Sequence, residues 1–200
     1  MMLQILPALL AFAFVTSVTP GPNNMMLMAS GANFGFRRTV PHMLGIAIGF
    51  TAMVFLVGVG LAGLFLAEPR LGKALGIVSL LYMLWLAWKI THAAPPQAQS
   101  SKARPLSFLQ AAAFQWVNPK AWAMALSACA LYAPDQTVWA VGFVALVFGA
   151  VNLPSVSVWA AAGQGLRGFL TDRRRLVLFN WAMAGLLVLS MLPALRQLAP

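Results

Sequence analysis

Pro20-Gly21-Pro22-Asn23-Asn24 interrupts an apolar run long enough to cross a bilayer. Each proline removes a backbone donor and clashes with the preceding turn, and glycine loosens the chain between them. In hydrocarbon, freed backbone groups persist only where protein or a water-filled cavity satisfies them. Asparagines at such a break point to a polar site inside the membrane. A second break, Asn118-Pro119-Lys120, falls inside the fourth apolar segment. The two breaks together carry the reading of the chain.

Of 200 residues, 61% are hydrophobic and 8% charged, against roughly 25% charged in a soluble domain. That leaves too little polar surface to cover a water-soluble globule, and an all-α integral membrane protein is expected. A net charge of +10 would suggest nucleic acid in a soluble protein. Here the basic residues lie between apolar stretches, so positive-inside topology accounts for them and no nucleic-acid partner is expected. Cys129 is the sole cysteine, which excludes an intramolecular disulfide and a CxxC redox pair. Three acids, two histidines and one cysteine show no ligand spacing, so neither metal nor cofactor is expected. The N-terminus lacks a basic region and a small-residue cleavage pattern, and the first segment is expected to stay in the mature protein.

Six apolar segments reach the ~20 residues that a bilayer core requires. They cover about 3–19, 41–66, 74–90, 106–132, 138–162 and 176–195. The first is expected to restart after its break through Met25, Met26, Leu27 and Met28. Residues 92–105, rich in Pro, Ala, Gln and Ser, read as a linker. The chain thus divides into a three-span repeat over 1–91, a cytoplasmic linker over 92–105 and a second repeat over 106–200. Arg37, Arg38, Lys89, Lys102, Arg104, Arg167 and Arg173 to Arg175 share one side. That side is expected to be cytoplasmic, with both termini outside. An odd number of spans per repeat inserts the second copy upside down. The expected fold is six transmembrane helices in two inverted three-helix repeats with broken first helices. Pro20 and Pro119 are the matched positions, expected near the midplane and facing each other. Gly45 and Gly49 in one second helix, and Gly142 and Gly149 in the other, read as close-packing positions. Asn152-Leu153-Pro154 reads as a weaker third break.

Lys120 is the leading site residue. It lies about 14 residues into its segment, ~20 Å at helical rise. An ammonium at that depth costs at least ~2.5 kcal/mol, and no span supplies an acid to neutralise it. It must face carbonyls, water or an anionic ligand such as a substrate carboxylate. The alternative is a shifted register in which Lys120 snorkels to an interface. Pro20, Gly21, Pro22, Asn23 and Asn24 form the second group. A helix restarting after this break aims free N–H groups and a positive dipole end into it, and asparagine carbonyls can grip an ammonium. The alternative there is a surface turn after Thr19. Asn118, Pro119 and Gln115 follow the same logic in the second half. His42 is the candidate proton carrier, its alternative being an interfacial histidine at a helix start. Arg173 to Arg175 read as a topology anchor.

These stretches resemble the LysE/RhtB family of amino-acid exporters. The resemblance rests on Thr19-Pro20-Gly21-Pro22-Asn23, on Gly35-Phe36-Arg37-Arg38 with the glycines that follow, on Asn118-Pro119-Lys120-Ala121, and on Asn180 with Gly185. It covers nearly the whole chain. It implies a multi-pass carrier of the bacterial inner membrane that expels amino acids or related small zwitterionic metabolites, driven by protons. The expected partners are that substrate, protons and lipid, with a homo-oligomer left open. A channel or assembly subunit without active coupling is the competing reading. An enzyme is not expected, since no Ser–His or paired-carboxylate constellation is present. The spans contain no acid to select a cationic substrate, which argues against lysine or arginine.

Overall fold

A computed structural model describes residues 2–61, 63, 67–92 and 104–190. Most of the linker, with Lys102, lies outside the described residues, as do the end of the second segment and residues 191–200 with Arg196. Eight α-helices and no strand occur among the described residues. They are α1 (Met2–Val18), α2 (Pro22–Phe34), α3 (Phe36–Leu56), α4 (Pro69–Thr91), α5 (Phe108–Phe114), α6 (Pro119–Tyr132), α7 (Val138–Leu166) and α8 (Arg173–Leu189).

Among the described residues, three stretches are long and apolar enough to cross a membrane: Phe36–Leu61, Lys73–Thr91 and Val138–Leu166. A fourth forms if α1 and α2, bent by 56° at their break, count as one span. The fourth apolar segment is split into α5, a 3-10 turn at Gln115–Val117, and α6, so neither piece spans alone. The described part of α8 is 17 residues long.

Proline chemistry explains both breaks. Pro22 and Pro119 each open a helix, where the missing N–H costs nothing and the fixed φ suits the first turn. Pro22, not Pro20, opens the helix after the first break, as Pro119 does after the second. Pro22 is buried, whereas Pro20 is exposed on the bend. Asn152-Leu153-Pro154 does not break its helix, which runs unbroken through Pro154. The Pro154 ring faces outward, and Ser155 Oγ and Ser157 Oγ donate to the Val151 and Leu153 carbonyls around it. Neighbouring hydroxyls of this kind let a membrane helix carry proline.

α7 is the central post, packed on α1, α2 and α3. Glycines set the closest approaches. A Cβ on Gly31 would meet the Ala160 carbonyl, and one on Gly163 would meet Met28 O, so α2 and α7 touch backbone to backbone. Gly45 and Gly49 seat α5 at Phe108, Ala111 and Ala112. Gly149 seats Thr51, while Gly142 has only the edge of Phe55 nearby. Gly35 plays a different part: its φ of 84° makes the sharp turn from α2 into α3. Outward apolar side chains such as Leu178, Leu146 and Trp139 are exposed, as a lipid-facing wall would be.

The basic residues collect at one end. Gln164 Oε1 accepts from Phe36 N at 2.5 Å, and the Arg167 guanidinium lies beside Gly35. Ala32 packs on Leu170 and Leu176, which brings the start of α8 to the same place. Asp172 caps α8 by accepting from Arg174 N and Arg175 N at 2.9 and 3.0 Å. At the opposite end, Tyr132 Oη donates to Ala8 O at 3.2 Å.

Candidate functional site

The two breaks meet. α1 ends at Val18, and the carbonyls of its last turn lack helical partners, as at any helix C-terminus. Side chains from three other helices take them up. Asn24 Nδ2 donates to Ser17 O at 2.8 Å and Thr19 O at 2.7 Å. Trp159 Nε1 donates to Val18 O at 3.0 Å. Lys120 Nζ donates to Thr19 O at 2.7 Å, Thr19 Oγ1 at 2.9 Å and Pro20 O at 3.4 Å. The ammonium thus sits on the negative end of the α1 dipole, a favourable place for a cation with no acid in reach.

α2 begins two residues further on. Its N-cap, Gly21, is extended and supplies no side-chain cap. The first intrahelical bond runs from Met25 N to Gly21 O at 3.0 Å. The amides of Asn23 and Asn24 therefore precede the helical ladder and point out of the helix end. α6 begins differently, because Asn118 caps it by accepting from Lys120 N at 3.1 Å. Gly21 packs against Lys120 itself: a Cβ there would fall 2.6 Å from Lys120 Cδ. Glycine at this position is what lets the lysine pass between the breaks.

A reciprocal amide pair ties the halves together. Asn23 Nδ2 donates to Gln115 Oε1 at 2.9 Å, and Gln115 Nε2 donates back to Asn23 Oδ1 at 3.2 Å. Gln115 also donates to Ala111 O at 2.8 Å and is fully buried. From α7, Asn152 Nδ2 donates to Ser17 Oγ at 3.2 Å, and its Oδ1 is buried without a partner.

These groups line a cavity between the breaks, together with Phe50, Met124 and Val156. Its volume is about 20 Å³ where the centre of a water molecule fits, little more than the ~10–15 Å³ one water needs. The cavity brings together Gly21, Asn23, Asn24, Asn118 and Lys120, all expected from the sequence. Pro20 contributes only its carbonyl, and Pro22 and Pro119 act by starting helices. Lys120 is half-buried and bonded to the bend that follows α1. His42 lies elsewhere. It is buried six residues into α3, not at the helix start, and neither ring nitrogen has a partner. The sequence reading missed Ser17 and Trp159, and took Asn152 for part of a break. A short polar side chain near a helix end carries no pattern that separates it from ordinary packing.

The chain matches the family model described as LysE type translocator over residues 14–193. It is similar to the cysteine/O-acetylserine efflux protein of Klebsiella pneumoniae, 31% identical over 188 residues, 92% of this chain and 93% of the relative. It is also similar to the protein of that name in Escherichia coli, 30% identical over 163 residues, 80% of this chain and 83% of the relative. No solved structure gives a significant match.

Proposed function

Because this chain belongs to the LysE type translocator family, and is therefore an amino-acid efflux transporter of the membrane rather than an enzyme, we propose that it exports a small neutral zwitterion bound between its two helix breaks. Cysteine and O-acetylserine, which the similar efflux proteins are named for, head the candidates. The observation that carries this reading is Lys120 Nζ held on the Thr19 and Pro20 carbonyls, just before the uncapped start of α2.

A zwitterion fits these groups pole by pole. Its carboxylate takes the Lys120 ammonium and the free amides of Asn23 and Asn24. Its ammonium takes the Thr19 and Pro20 carbonyls that Lys120 releases, with Asn152 Oδ1 as a further acceptor. Every charge is then matched without an acidic side chain, as a membrane interior demands. A cationic amino acid would leave its second charge unmatched. The small volume of the cavity supports a carrier over an open pore, since about 20 Å³ does not admit an amino acid.

The order of elements supports two inverted three-helix repeats: α1/α2, α3 and α4, then α5/α6, α7 and α8. In this reading the basic end faces the cytoplasm of a bacterial inner membrane. Export runs with protons, and His42 is the carrier because it is buried with both ring nitrogens free. The test is efflux of labelled O-acetylserine from proteoliposomes with an imposed pH gradient. Efflux indifferent to the gradient would remove proton coupling and leave a passive path. Absence of any efflux would remove the substrate assignment.

A further inference from the structure

A second cavity opens at the basic end, on the far side of Met26 from the first. It holds about 130 Å³ where water centres fit, roughly ten times the one-water requirement. Lys89 of α4 and Arg104, just before α5, line it with Asn33 and His42. No acidic residue lines it. The Lys89 ammonium rests 4.6 Å from the centre of the Trp85 ring rather than on a carboxylate. Asn33 donates to Ala29 O at 2.8 Å, but its Oδ1 is buried without a partner, as are both nitrogens of His42. Buried polar atoms are normally satisfied, and these three, shielded from water, belong to residues that line the cavity, so a small side-chain turn would present them to a ligand.

We propose that this cavity is a second, separate binding site for a small zwitterion. Lys89, Arg104 and a His42 N–H receive the carboxylate, and Asn33 Oδ1 receives the ammonium. The proposal rests on the export reading for its substrate class and adds a station that loads from the basic end before the central site. The two stations are close. Met26 lines this cavity and packs with Phe114, while Asn23, one turn earlier on α2, lines the central cavity and is bonded to Gln115. One turn of α2 and the Phe114–Gln115 corner separate them.

The experiment places a reporter thiol in the cavity, Ile90→Cys with Cys129→Ala, in protein held in nanodiscs. Modification rates by an anionic and a cationic methanethiosulfonate are each referred to a free thiol. The anionic reagent should react about tenfold faster on this scale, because a cavity lined by one sign of charge concentrates counter-ions. Salt near ~1 M should abolish that preference. So should Lys89→Gln with Arg104→Gln; the salt test decides the matter even if that double variant folds poorly. O-acetylserine should slow the reaction, and its carboxamide should not. Equal rates for the two reagents, a preference that survives salt, or equal protection by acid and amide would each overturn the proposal. The export reading fails separately: if wild-type protein does not move O-acetylserine while O-acetylserine still slows modification of the Ile90→Cys thiol, this site stands and loses its transport role.

Discussion

Replacing Lys120 with methionine removes the charge and keeps an unbranched side chain only one atom shorter. In the closed state the substitution deletes three hydrogen bonds, to Thr19 O, Thr19 Oγ1 and Pro20 O. It also deletes the cost of holding an ammonium in a half-buried place. The two nearly cancel, so folding should change by no more than about 1 kcal/mol in either direction. Transport has no such compensation. A substrate carboxylate that meets a charged donor gains about 1.5–3 kcal/mol from it. Its loss should lower the efflux rate at sub-saturating substrate by roughly ten- to 150-fold, at 1.36 kcal/mol per decade. Lys120→Arg should rescue poorly. Its planar fork needs width, and the space beside Gly21 is shaped to a linear side chain.

The assay is initial efflux of labelled O-acetylserine from cells, with membrane abundance measured for each variant. A variant at normal abundance with normal efflux would refute the reasoning, because Lys120 would then be only a brace for the end of α1. A fall in abundance matching the fall in efflux would refute it too, since the lysine would be holding the fold rather than the cargo.

Gly21→Ala should spare folding and impair export, since its extended backbone accepts alanine and the new Cβ meets only the flexible Lys120 side chain; abundance and efflux measured together check this. Gly31→Ala should do the reverse and lower abundance, costing about 1–3 kcal/mol because its Cβ meets the Ala160 backbone carbonyl. Asn23→Leu and Gln115→Leu should each cost about 1–3 kcal/mol by stranding a buried amide, and the double variant should cost less than the sum; thermal unfolding in detergent measures the cycle. In a Cys129→Ala background, a thiol at Gly168→Cys should be labelled only from the cytoplasm and one at Asp135→Cys only from outside; the opposite pattern would invert the orientation.

Much of this was legible in the sequence because proline and glycine act locally. Their effect on a helix needs no partner, so both breaks and their approximate positions followed from the residues alone. Which proline starts the new helix did not follow, because Pro20 and Pro22 are equally able to; burial of one and exposure of the other decide it. Lys120 was legible as a cost, an ammonium without an acid. Its answer, the open end of α1, was not, since backbone carbonyls look the same at every position. Pro154 misled because its outward ring and the nearby serines are tertiary facts. His42 beside Pro41 looked like a helix start, yet α3 begins at Phe36, where Gly35 turns the chain.

The Lys120 contacts also suggest how binding could drive movement. Lys120 belongs to the second half of the chain and its acceptors to the first, and the Asn23–Gln115 pair crosses the same boundary. These bonds hold the two halves of the chain together at the breaks. A zwitterion that takes the ammonium and the carbonyls for itself replaces direct bonds between halves with bonds through the substrate. The closed cavity has no room for that exchange, so the halves must separate to admit cargo and can close again once its two poles have restored the matching. A cargo with only one pole would open the contact and leave the other charge bare. The proposed carrier should therefore reject simple amines and simple carboxylates alike. Efflux competition with ethanolamine and with acetate checks this, and strong inhibition by either would show that one pole suffices.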